Sequence, residues 1–267
     1  MKAVALVLVA AACGRLSFDE QRPGPTDARA DAASADAGDA PAAPTTYYEV
    51  STLGTTTMTA TVFTLDITTG QLTELGSWGV TSVVAGLAYG GDANTLYAAE
   101  TGTIYRITLS PFSAMPIQTG TSAIPDLELD GTELIGVLDG SSTLVRFPPG
   151  GAMTSVTVKD GATPVTAMGG DLAHARDGTW YWYTNTNNTL YTMNVTTGAV
   201  TPVVAVTAPY AAGLIADDAG NLFITSASPP SICQLDRTTG ACTNAVTLCV
   251  SCPTMYALGP GDSTRTP

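Results

Sequence analysis

Histidine is nearly absent from this chain: His174 is the only one in 267 residues. Basic residues are scarce as well, 10 Lys and Arg against 23 Asp and Glu, which leaves a formal net charge of −13. Such a surface repels a phosphate backbone, so the sequence argues against nucleic acid as a partner. No G-x-S-x-G elbow occurs, and no nucleophile stands beside His174, which Asp171 and Asp177 flank in DLAHARD. A Ser-His-Asp mechanism is therefore not indicated, and no catalytic residue is assigned. Beyond the first residues no apolar run reaches the ~18 residues of a membrane-spanning helix. What is abundant is Thr, Val, Ala and Gly, a bias toward strands and turns rather than helices.

The N-terminus points to export. Met1 and Lys2 precede an apolar run from Ala3 to Ala12, which has the length of a signal-peptide core. The small residues Ala10-Ala11-Ala12 leading into Cys13 resemble a bacterial lipobox, with Ala10 where that motif prefers Leu. The resemblance implies that residues 1–12 are a signal peptide and that Cys13 carries lipid; an A-x-A cleavage site beside an unmodified Cys13 is the alternative. Residues 13–45 are rich in Ala, Asp, Pro and Gly and have few large apolar side chains. They cannot bury enough surface to offset the entropy of ordering, so a disordered tether is expected. The chain is accordingly expected to be lipid-anchored in a bacterial cell envelope, at the outer membrane.

Residues 46–267 repeat with a period of about 43. GLAYGGDANTLYAAE (Gly86 to Glu100) returns as DLELDGTELIGV, DLAHARDGTWYWYT and GLIADDAGNLFITS. Leu87, Leu127, Leu172 and Leu214 mark the same register, 40, 45 and 42 residues apart. Each phrase reads as a strand, a turn and a second, strongly apolar strand. LDITTGQL (Leu65 to Leu72), MNVTTGAV and LDRTTGAC supply a third strand, a T-T-G turn and a fourth. Glycine takes the left-handed conformation that closes such a turn, and the preceding Asp or Thr bonds the turn backbone. Four strands per repeat predict an all-β propeller of antiparallel blades. YYEVST (Tyr47 to Thr52) reads as a second strand, and MYALGPGD (Met255 to Asp262) as a first strand, with Leu258 placed 44 residues after Leu214. The expectation is five blades with a split closing blade; six is the alternative.

GLIADDAGNLFIT is similar to the blade openings of NHL-repeat and gluconolactonase-like propellers. The TLDITTG and QLDRTTG hairpins resemble those of quinoprotein-type propeller repeats. That resemblance implies the fold and leaves function open, because propellers host many activities. The quinoprotein likeness lacks the tryptophan that follows the hairpin in those repeats; only Trp78 comes near that place. Gluconolactonase-like propellers hold a divalent ion through Glu, Asp and Asn oxygens, which makes Glu100, Asp139, Asn185 and Asn187 candidate ligands here, with calcium the possible ion.

Cys233, Cys242, Cys249 and Cys252 form an even set in an exported chain and read as disulfides. Cys233 and Cys242 flank the RTTG turn, so Cys233–Cys242 with Cys249–Cys252 is the favoured pairing, the other pairings remaining open. A zinc ribbon needs a second C-x₂-C knuckle, and a redox C-x-x-C needs a helix N-terminus. Asp126 to Gly131 imitates the start of an EF-hand loop, but Val137 stands where that loop needs Glu, so a strand is expected. Trp180-Tyr181-Trp182-Tyr183 as a strand sends the tryptophans to one face and the tyrosines to the other. The expected function is a non-catalytic envelope module that binds or scaffolds a protein or glycan. The rival is a divalent-metal lactonase- or lyase-like enzyme.

Overall fold

The structure, a computed structural model, describes residues 47–53, 58–66, 69–175, 177–207, 211–217, 220–227 and 230–248. The signal segment, lipid-bearing Cys13, tether, Cys249–Cys252 pairing and closing strand at Met255 to Asp262, all expected from the sequence, lie outside the described residues. Every regular element within them is a strand. An N-terminal sheet is formed by β1 (Tyr47–Leu53), β2 (Met58–Asp66) and β3 (Gln71–Val80). Blade I follows with β4 (Val84–Tyr89), β5 (Thr95–Glu100), β6 (Thr103–Leu109) and β7 (Phe112–Thr119). Blade II holds β8 (Asp126–Asp130), β9 (Glu133–Val137), β10 (Thr143–Phe147) and β11 (Thr154–Thr157). Two short strands, β12 (Lys159–Asp160) and β13 (Thr163–Pro164), precede blade III, which comprises β14 (Gly170–His174), β15 (Trp180–Thr184), β16 (Thr189–Asn194) and β17 (Ala199–Ala205). Blade IV is β18 (Ala211–Ala216), β19 (Leu222–Ala227), β20 (Pro230–Leu235) and β21 (Cys242–Thr247).

The fold is a β-propeller, as the repeat predicts. Four blades are complete and meander in sequence order. The N-terminal sheet has three strands, with β1 at its inner edge, in keeping with the reading of YYEVST as a second strand.

Burial falls from axis to rim. The second strands β5 and β15 are buried along their whole length because blades cover both their faces, whereas the fourth strands β17 and β21 are mostly exposed and β7 has no buried position. The core is therefore a series of layers between blades. Leu172, Trp180, Trp182 and Tyr191 pack on Ile135, Val137 and Leu144 of blade II. Ala173, Tyr181 and Tyr183 pack on Leu214, Leu222 and Ile224 of blade IV. The Trp-Tyr alternation of β15 thus splits as its period of two requires.

The T-T-G turn serves the joint between blades as well as its own hairpin. In blade IV the Gly240 amide donates to the Asp236 carbonyl, and the Asp236 carboxylate accepts from the Thr238 and Thr239 amides. Gly240 sits at φ +70°, and a Cβ there would lie 1.9 Å from the Ala205 carbonyl oxygen at the end of blade III. The Gly240 carbonyl in turn accepts from the Thr207 amide, 3.0 Å away. The same arrangement recurs at Gly198, where a Cβ would lie 2.4 Å from the Thr157 carbonyl oxygen of blade II. At Gly70 the neighbour is Thr247 of blade IV, at 2.2 Å, so the N-terminal sheet meets the last complete blade and the ring comes round on itself. Only a residue without a Cβ permits this approach.

One feature departs from the four-strand expectation. The connection from blade II to blade III forms the hairpin β12–β13, and β12 adds parallel to β17, widening that sheet to six strands. Asp160-Gly161 makes the turn, with Gly161 at φ +57°.

Cys233 and Cys242 form the expected disulfide, with Cα atoms 5.6 Å apart across β20 and β21. Closing so short a loop constrains the unfolded chain modestly, so replacing both cysteines with Ala is expected to cost about 2–3 kcal/mol. Urea unfolding of the paired variant checks this.

Candidate functional site

The densest polar chemistry lies along the seam between blades II and III. On β8, residues Asp126, Glu128 and Asp130 share one face, because side chains two apart in a strand point the same way. The register sets Asp130 opposite Glu133 and Arg146 opposite Ile135 and Thr154, which brings Glu133, Arg146 and Thr154 onto that face too. Opposite stand Trp180, Trp182 and His174 of blade III, with the imidazole stacked on the Trp180 indole at 4.1 Å between centroids. A face that sets these charged groups around Ile135, Val137 and Leu144 thus meets an aromatic one. Arg146 forms ion pairs with Asp130 through its Nη2 and with Glu133 through its Nε.

Asp126 is fully buried. Its Oδ1 accepts from the Val137 amide at 2.6 Å, and its Oδ2 accepts from Trp182 Nε1 of the next blade at 3.0 Å. Asp171 occupies the same repeat register one blade on. It accepts from the Leu172 amide at 2.8 Å and from the Leu214 amide of blade IV at 2.7 Å. Burial pushes both carboxyls well above the ordinary range, although those hydrogen bonds pull the other way. Asp139 adds to the rise at Asp126, and Asp126 and Glu128 add to it at Asp171. In blade I this register holds Gly86, where a Cβ would come within 2.8 Å of Leu127 Cβ. Neighbouring inner strands therefore either close tightly on a glycine or are bridged by an aspartate. The repeat places Asp126 and Asp171 just before the marker leucines, but their partners lie in other strands and blades, which the repeat does not encode.

The four sequence-predicted metal candidates are each engaged in the rim. Glu100 is buried, and its Oε1 accepts from the Thr81 amide and hydroxyl, both at 2.6 Å, and from the Ser82 amide at 2.6 Å. Its Oε2 accepts from the Tyr105 hydroxyl at 2.8 Å. Burial raises its carboxyl, yet these hydrogen bonds prevail and hold it below the usual range, while burial and the Glu100 contact push the Tyr105 hydroxyl up to about 12. Asp139 accepts from the Gly169 amide at 2.9 Å, tying the blade II rim loop to the segment that enters blade III. Asn185 accepts from the Tyr183 hydroxyl at 2.9 Å, and Asn187 donates to the Tyr191 hydroxyl at 2.7 Å. Among the described residues no group of three or more His, Cys, Asp or Glu side chains converges in the manner of a metal site. The EF-hand imitation at Asp126 is strand β8, as expected.

No protein-family model matches the chain, and no curated protein does. Solved structures do. Glutaminyl cyclase from Myxococcus xanthus superposes with a TM-score of 0.51 at 21% identity, covering 62% of this chain and 77% of that one. A chain of the nidogen/laminin complex gives 0.51 at 11% identity, over 81% of this chain and 97% of its own. A protein of unknown function from Bacteroides caccae gives 0.50 at 10% identity, over 77% and 73%. These likenesses establish the propeller fold. A cyclase, a chain of the nidogen/laminin complex and a protein of unknown function share it, so activity must be argued from this chain's own residues.

Proposed function

We propose that this chain is a non-catalytic propeller that binds or scaffolds a protein or glycan in the bacterial cell envelope, held to the outer membrane by lipid on Cys13. The observation that supports the reading is the use made of the carboxylates. Glu100, Asp126, Asp139 and Asp171 take their hydrogen bonds from backbone amides, hydroxyls and an indole of neighbouring strands and blades. Carboxylates engaged in this way join strands and blades, exposed Asp139 through its one bond to Gly169, whereas a calcium site needs six or more oxygens directed at one point. The hydroxyl- and amide-rich rim loops, with exposed Met168 beside them, supply surface for a partner.

Melting the Cys13→Ser chain with calcium and then with EDTA tests this. The expected result is the same midpoint in both. A ligand at a hundred times its dissociation constant adds about 2.7 kcal/mol, so a calcium-dependent rise of several degrees would favour the metal-dependent enzyme instead. Labelling cells with palmitate checks the anchor: label is expected on the native chain and none on Cys13→Ser.

A further inference from the structure

The seam between blades II and III opens toward solvent in a half-enclosed cleft of about 230 Å³, lined by Glu133, Arg146, Thr154, Val156, Val195 and Thr196 among others. One wall is blade II; the other is the T-T-G turn of blade III, whose Val195 and Thr196 reach across. We infer that this cleft holds one neutral sugar ring, the end residue of a glycan. The inference deepens the binding reading above and rests on it.

The only cation in the cleft is already paired: Arg146 carries two carboxylates, Asp130 and Glu133, which leaves the cluster one net negative charge. An incoming anion therefore meets two carboxylates and no unpaired cation, and an incoming cation has to compete with the guanidinium for carboxylates that it already holds. A net charge of −13 opposes an anion further. A neutral ligand carries neither cost. The cleft nevertheless offers a strong acceptor in Glu133, a donor-rich guanidinium in Arg146, an acceptor in Thr154 Oγ1, whose proton goes to the Arg146 carbonyl 3.1 Å away, and a Thr196 hydroxyl that can donate and accept. Partly buried Val156, backed by the buried Val195 and Leu144, gives an apolar patch beside them. A ligand with hydroxyls around its edge and C–H groups on its face matches both kinds of surface, and a pyranose is such a ligand. The volume is below the ~300 Å³ at which drug-sized sites begin, so a single ring fits and the rest of a chain must leave through the open side.

The test is saturation-transfer NMR on the full chain carrying Cys13→Ser, with free glucose, galactose, mannose and N-acetylglucosamine as probes. Two variants fill the cleft from opposite walls: Thr154→Trp on an exposed strand position and Thr196→Trp on the turn. A melting curve shows which variants are folded, and either one that is folded decides the matter. The expected result is transfer to at least one sugar in the parent chain and its loss in the filled variants. Transfer that survives filling would place a glycan site elsewhere, overturning the cleft while keeping the binding function. No transfer to any of the four sugars would overturn the sugar inference and leave a protein partner as the binding reading.

Discussion

Gly240→Ala is expected to lower the stability of the propeller by about 3–4 kcal/mol, which in a domain of this size is a fall of roughly 6–16 °C in the midpoint. Two penalties combine. A left-handed alanine costs about 1–2 kcal/mol by itself. The rest arises because the new methyl would sit 1.9 Å from a backbone oxygen of the preceding blade, where no flexible side chain can swing aside. Gly140 separates the two penalties. It has nearly the same φ, +68°, with nothing within 4 Å of its would-be Cβ. Gly140→Ala is therefore expected to show only the conformational cost, and the difference between the variants reads the contact between blades. Equal losses would mean that the T-T-G turn serves its own hairpin alone.

Asp126→Ala is expected to cost about 3–5 kcal/mol, because it leaves the Val137 amide and the Trp182 indole N–H buried without an acceptor. Urea unfolding measures it. The pH dependence follows from the direction of the shift. Burial raises the Asp126 and Asp171 carboxyls in the folded chain, whereas in the unfolded chain they ionise near pH ~3.9. Folding therefore favours their protonated form. Their contribution is fully present below pH ~4 and is lost as pH rises through the folded values. Glu100 has the opposite sign, so its contribution is present above the unfolded value and is lost as pH falls through its lowered one. Asp126→Ala removes one raised group, so its unfolding free energy is expected to decline less steeply toward alkaline pH than that of the parent.

Much of this architecture is legible in the sequence because a propeller repeats its instructions. The marker leucines gave the inner strands, T-T-G gave the outer hairpins, and WYWY gave a strand with two separate faces. What the repeat conceals is contact across blades. Asp126 and Trp182 are 56 residues apart, and no spacing rule links them. The sign was present all the same: in two repeats an aspartate stands just before the marker leucine, where Gly86 and Gly213 stand in the others. The β12–β13 hairpin was announced by Asp160-Gly161, a strong turn signal inside what the period treats as a connection. The cleft was the least legible part. Glu133, Arg146 and Thr154 converge only once strand register is fixed, and Thr196 arrives from the next repeat.

The direct test of an axis stapled by buried carboxyls is a double-mutant cycle of Asp126→Ala and Trp182→Phe, read by urea unfolding at neutral pH. Trp182→Phe keeps the ring and removes only the donor. If the carboxyl and indole join blades II and III, the two changes are strongly non-additive, with a coupling of about 1 kcal/mol or more. Additivity within about 0.3 kcal/mol would contradict the staple, and with it the claim that these acids hold the blades together rather than serving a ligand.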